Sequence, residues 1–164
     1  MARKQPIELF MPPNMLKAKA GGGGGGLDLA AMSRAEAAME ELQSEFSDWI
    51  AQDVMTLTAA RARYAATPDG EARAALLRAA HDIKGQAPTY DYPLIARVAA
   101  SLSRLIGELP PAAAIPLNLI DAHVTAIQVI HKNAMKNTND KTALALCVEL
   151  DARVNEVLAE TANK

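Results

Sequence analysis

Residues 71–93 read EARAALLRAAHDIKGQAPTYDYP. Leu76, Ala80, Ile83 and Ala87 recur there at three- and four-residue steps. On a helical wheel these four fall within one narrow arc, the pattern of a helix with one face against a core. The spacing predicts a helix over about 69–87. Thr67-Pro68-Asp69-Gly70 precedes it as turn chemistry, and Pro88 opens the break that follows. Asp91 is placed to cap the next helix, with Pro93 in its first turn.

The same reading extends in both directions. Ser33-Arg34-Ala35-Glu36 has the spacing of a capping box. Met39, Leu42, Phe46, Trp49, Ile50, Val54 and Leu57 then mark an apolar face on a helix from residue 33 to about 65, with Phe46 and Trp49 as its core anchors. Leu94, Ile95, Val98, Leu102, Leu105 and Ile106 mark a third helix, ended by Gly107 and Pro110-Pro111. A fourth is expected over about 113–136 with Leu119, Ile120, Val124, Ile127 and Ile130. NTND, from Asn137 to Asp140, is a turn. A fifth covers about 141–161 with Leu144, Cys147, Leu150, Val154 and Leu158. No alternating strand pattern and no convincing internal repeat occurs. Short connections between long amphipathic helices predict an all-α fold, an antiparallel bundle.

Composition agrees. Of the 164 residues 50% are apolar, enough for a packed core, and only 4% are aromatic in an alanine-rich chain, which favours helix over sheet. Residues 1–32 are expected to be a flexible arm around Gly21–Gly26, and 33–164 the helical domain. Ile7–Phe10, IELF, is a short apolar patch within that arm. One cysteine, Cys147, excludes an internal disulfide and fits a reducing compartment. Arg3 and Lys4 are not followed by an apolar run of signal-peptide length, and no stretch approaches a membrane span. A soluble cytoplasmic protein is expected. The formal charge of −2 gives no support for nucleic-acid binding.

His81 lies about 130° from the centre of the core arc, on the outward side. Lys84 and Gly85 are its neighbours one turn later. Helical side chains lean toward the N-terminus, so any side chain at 85 would lean over the imidazole. Glycine leaves that space empty, at a cost of about 1 kcal/mol relative to alanine. The inference is that something approaches His81 closely from that side. Lys84, and Arg78 three residues before the histidine, offer positive charge to the anionic oxygens of a phosphoryl group arriving at the ring.

The string HDIKG, His81 to Gly85, resembles the signature of histidine phosphotransfer domains, the HPt family of two-component phosphorelays. The resemblance covers about residues 33–161, although its sharp motif is five residues long. It implies an antiparallel four-helix bundle, here with an additional helix and the N-terminal arm. By the resemblance His81 is the phospho-acceptor, Lys84 the positive neighbour and Gly85 the small residue that admits a partner. The family often carries another glycine ten residues after the histidine, where this chain has Asp91; Gln86 and Pro88 also replace residues usually small. The implied partners are response-regulator receiver domains and a hybrid histidine kinase. No cofactor of its own is implied, and Mg²⁺ is expected in the receiver's site. Partner contacts are expected from Arg78 and Gln86, and from Arg97, Ser101 and Arg104 on a polar face of the third helix.

Two rivals accompany this reading. One is a dimeric phosphotransferase built like a sensor-kinase stub, in which Thr or Asn and then Pro would follow the lysine; Gly85-Gln86 stand there instead. The other is a helical scaffold or adaptor without phosphoryl chemistry. No glycine-rich nucleotide lid follows His81, so ATP-dependent kinase activity is not expected. His123 and His131, eight residues apart on one helix, are too distant for one metal site without other ligands and read as edge-of-core packing. No metal site is expected. Cys147 reads as a small buried residue. Five helices can close a core alone, so a monomer is expected.

Overall fold

The computed structural model describes residues 28–163. The Gly21–Gly26 run and the Ile7–Phe10 patch, with most of the expected arm, lie outside the described residues. Five helices occur in chain order: α1 Leu29–Ala66, α2 Gly70–Gln86, α3 Pro93–Glu108, α4 Leu117–Lys132 and α5 Lys141–Ala162. No strand occurs among the described residues. No described helix is long and apolar enough to cross a membrane.

The described residues divide after Ala37 into two units. In the first, the helical start is set by Asp28 and not by Ser33. The Asp28 carboxylate accepts from the amides of Ala30 and Ala31 at 3.1 and 3.2 Å. Ser33 and Glu36 are therefore interior helical residues, and the expected boundary at residue 33 moves to residue 29.

In the second unit the capping chemistry is local and legible. Asp69 accepts from the Ala72 amide at 2.7 Å and starts α2; Asp140 does the same for Ala143 at 2.9 Å and starts α5. The start of α3 differs from expectation. Its N-cap is Tyr92, with Pro93 in the first turn, and Asp91 caps nothing. Asp91 instead has φ 67°, the left-handed region that favours glycine and that aspartate tolerates better than most residues. α4 is also shorter than its apolar run, because Pro116 fixes its start and Ala134, at φ 48°, closes the turn after its end.

Helix α2 packs on α3, α3 packs on both α4 and α5, and α4 packs on α5. α1 meets α4 through polar contacts on its C-terminal half. Arg61 grips Asp121 with two hydrogen bonds, at 2.5 and 2.7 Å. The Ile115 amide donates to the Tyr64 hydroxyl at 3.1 Å, and Gln128 donates to Thr58 at 3.2 Å. The core contains Ile50, Leu57, Leu76, Ile83, Ile95, Leu102, Ile120 and Ile127, all fully buried. The connection between α3 and α4 is tied down by Arg73 on α2, whose guanidinium donates to the carbonyls of Ile106, Leu109, Pro110, Pro111 and Ala113.

Four expectations about packing are corrected. Met39, Leu42 and Trp49 are exposed, so the start of the expected α1 core face and its Trp49 anchor lie outside the core, whereas the half-buried Phe46 packs against it. The reason is length. α1 has 38 residues, about 57 Å of helix, whereas its neighbour α2 has 17, about 25 Å. Leu144 on α5 is likewise exposed. His123 is not at an edge; it is fully buried. Cys147 is buried, as expected.

His123 makes stability depend on pH. One ring nitrogen lies 2.7 Å from the Leu119 carbonyl, and Nε2 is buried with no partner. Burial holds the imidazole's pKa below its ordinary value, against the opposing pull of the Leu119 bond, and burial lowers His131 as well. The unfolded chain therefore takes up these protons first as pH falls. Stability should be flat above the ordinary imidazole range and decline as pH drops through about 6.5, the unfolded-chain value. The urea midpoint measured across that range should fall for the wild type and much less for His123→Leu. An unchanged slope in the variant would move the effect to other groups.

Candidate functional site

The outward face of α2 is built by its inward one. Ala72, Leu76, Ala79, Ala80 and Ile83 are all buried, and they fix the rotation of the helix. Once they face the core, Arg78, His81, Asp82, Lys84, Gly85 and Gln86 are all exposed. The expected core arc is thus the observed one, and His81 is on the solvent side. Lys84 falls in the last turn, where a cation also suits the helix dipole.

Gly85 faces open space. A Cβ built there would meet nothing within 4 Å outside its own helix backbone and its chain neighbours. Its backbone is helical, so neither a left-handed turn nor a close helix approach requires glycine at this position. The missing side chain leaves open the approach one turn beyond the histidine.

The turn after α2 is anchored by aromatics. The Tyr90 hydroxyl donates to Gln86 Oε1 at 2.8 Å, and the Tyr90 ring lies 5.6 Å from Phe46 and 6.1 Å from Trp49. Gln86 is exposed, but its carbonyl oxygen is engaged by Tyr90. On the other flank, Arg78 and Asp82 line a shallow groove with Thr56, Ala59 and Arg63 of α1. Asp53 on α1 is held above the ordinary carboxyl range, first by burial and then by the negative charge of Asp82. Asp82 shares the lining of that groove with residues of α1.

Of the three residues expected on a polar face of α3, Ser101 is buried, and Arg97 and Arg104 are exposed and paired with neighbouring side chains. Ser101 is buried, with its hydroxyl unpartnered, so it cannot lie on a polar docking face. Arg97 is paired with Asp151 of α5 at 2.9 Å. Arg104 bonds Asn155 of α5 and pairs with Glu108 at 3.3 Å. Both arginines are turned to α5, because α5 packs along the face that the polar spacing left open. Among the described residues no cluster of three or more potential metal ligands occurs.

Sequence reasoning missed Asp53 and the Phe46–Trp49–Tyr90 aromatic group. Asp53 lies four residues after Trp49 on the same helical line, a spacing visible in the sequence; the approach of Tyr90 is not. No protein-family model matches the chain, and no curated protein or solved structure matches it.

Proposed function

We propose that this protein is a phosphorelay intermediate, in which His81 accepts a phosphoryl group from an aspartate of one receiver domain and yields it to another. The observation that carries the reading is an outward-facing histidine followed by a lysine and by a glycine whose Cβ position is open. In the same reading α1 to α4 form an antiparallel four-helix bundle of the histidine phosphotransfer type, with α5 added against α3 and α4. A further support comes from Asp91. It occupies the position where that family often has glycine, and its backbone is in the region glycine favours.

The chemistry is an exchange of one bond. A ring nitrogen of His81, Nε2 by the family resemblance, attacks the phosphorus of an acyl phosphate. The P–O bond to the receiver's carboxylate breaks, an N–P bond forms, and the carboxylate leaves as an anion. The second transfer runs the same exchange in reverse onto another aspartate. The transition state is loose, so alignment and positive charge matter more than covalent help. Lys84 supplies charge to the equatorial oxygens, and Gly85 admits the receiver's surface to in-line distance. Arg78, on the turn before, adds long-range attraction. Mg²⁺ belongs to the receiver. The working unit is a monomer in the cytoplasm, partnered with receivers and with the hybrid kinase that feeds them.

Phosphotransfer from a panel of phosphorylated receivers tests this, with wild type and His81→Ala side by side. Wild type should acquire an acid-labile, alkali-stable label, and His81→Ala none, with an unchanged circular dichroism spectrum. Absence of label on folded wild type from every receiver would favour a scaffold and make HDIKG a coincidence.

A further inference from the structure

The exposed stripe on α1 is organised for a helix. Met39, Leu42, Phe46 and Trp49 follow a three-four-three spacing, the repeat that a second helix reads knob into hole. Met39 is 62% exposed, and Leu42 and Trp49 are each 49% exposed. Where the stripe passes the turn after α2 it opens into a groove of about 260 Å³, lined also by Thr89, Tyr90 and Lys136. The Lys136 ammonium is turned to the Tyr92 ring, 5.2 Å from its centroid.

Charge selects the occupant. From Ala35 to Ala60 the sequence has six carboxylates and no lysine, arginine or histidine. Glu45 lies on the stripe's shoulder, and Glu41 lies farther round the same side of the helix, one turn earlier. A second copy laid on this face would set carboxylates against carboxylates, which costs rather than stabilises. An anionic membrane surface is disfavoured for the same reason.

We propose that the Met39–Trp49 face of α1 docks a basic amphipathic helix of another protein, its apolar side on the stripe and its lysines or arginines drawn by Glu45 at the stripe's edge and by the carboxylates around it, Glu41 among them. This is a helix-in-groove mode, with apolar anchors for affinity and charge for selection. It does not depend on phosphoryl chemistry at His81.

Trp49 is the chain's single tryptophan and lies within the face, so its emission reports occupancy directly. The full chain is titrated with three synthetic peptides about three heptads long. One has leucines in a stripe and lysines elsewhere, one has the same composition scrambled, and one has the stripe with glutamates. The first should shift Trp49 emission to the blue, saturably, and bind at least about tenfold tighter than either other. Rising salt should weaken it. Leu42→Asp should reduce its affinity about tenfold or more at an unchanged melting temperature, because Leu42 is outside the core. Glu41→Lys with Glu45→Lys should turn the preference toward the glutamate peptide. Equal binding of the scrambled or the glutamate peptide would overturn the proposal, as would a concentration-dependent dimer of the free chain by sedimentation.

Discussion

Replacing Gly85 by glutamate should slow phosphotransfer through His81 by about a hundredfold or more while leaving the protein folded. The fold is spared because position 85 faces open space and its helical backbone suits any residue. A hundredfold is about 2.7 kcal/mol of transition-state stabilisation, the scale of losing one well-placed electrostatic contact. Two effects add here. The glutamate side chain leans back over the ring, where the receiver must close to bonding distance. Its carboxylate also meets the anionic phosphoryl oxygens that Lys84 is placed to stabilise. Gly85→Ala separates steric from helical effects. It should raise unfolding stability by about 1 kcal/mol. Its transfer rate should fall by less than about tenfold, since a methyl group reaches far less than a glutamate. Single-turnover transfer from a phosphorylated receiver checks both variants. Wild-type rates in Gly85→Glu would remove the steric argument, whatever the fate of His81→Ala.

Arg73→Ala should be the most destabilising single substitution on the polar surface. Its guanidinium donates at 2.7 and 2.5 Å to the carbonyls of Ile106 and Leu109, at the C-terminal end of α3. It also donates at 3.0, 3.3 and 3.1 Å to those of Pro110, Pro111 and Ala113. The last carbonyls of a helix have no partners within it, and Arg73 supplies them from the neighbouring helix. The same donors hold the proline-containing connection that starts α4. Removing them leaves several half-buried carbonyls without donors, at a cost of about 2–4 kcal/mol. For a domain of this size that lowers the melting temperature by about 6–15 °C. Arg73→Lys should recover little, because one ammonium cannot span five carbonyls as the planar fork does. A loss under about 0.5 kcal/mol, the range of ordinary surface substitutions, would mean that water replaces the arginine at these carbonyls.

The helices were legible where local chemistry settles the matter. The turns TPDG and NTND fall where the sequence places them, and within them Asp69 and Asp140, read there only as turn residues, cap α2 and α5. The apolar arc of α2 is the buried one, and with it the outward orientation of His81 follows. Both are decided within a turn or two of chain, which is why periodicity and capping reveal them. Asp91 was misread because aspartate serves equally as an N-cap and as a residue tolerant of positive φ.

What the chain order could not specify is which apolar and polar faces find partners. Met39, Leu42 and Trp49 repeat as regularly as Ile50, Val54 and Leu57, yet only the second group is buried. Arg97 and Arg104 have the spacing of a free polar face, yet they are held by Asp151 and Asn155 of α5. Sequence by itself determined five helices, their core arcs and the exposed histidine, because each depends on a repeat of three to four residues. Tertiary structure alone decided how far along α1 the core reaches, that α5 pairs with the arginines of α3, and that Arg73 ties the α3–α4 connection to α2. Those outcomes depend on contacts between residues dozens of positions apart, which no local pattern encodes.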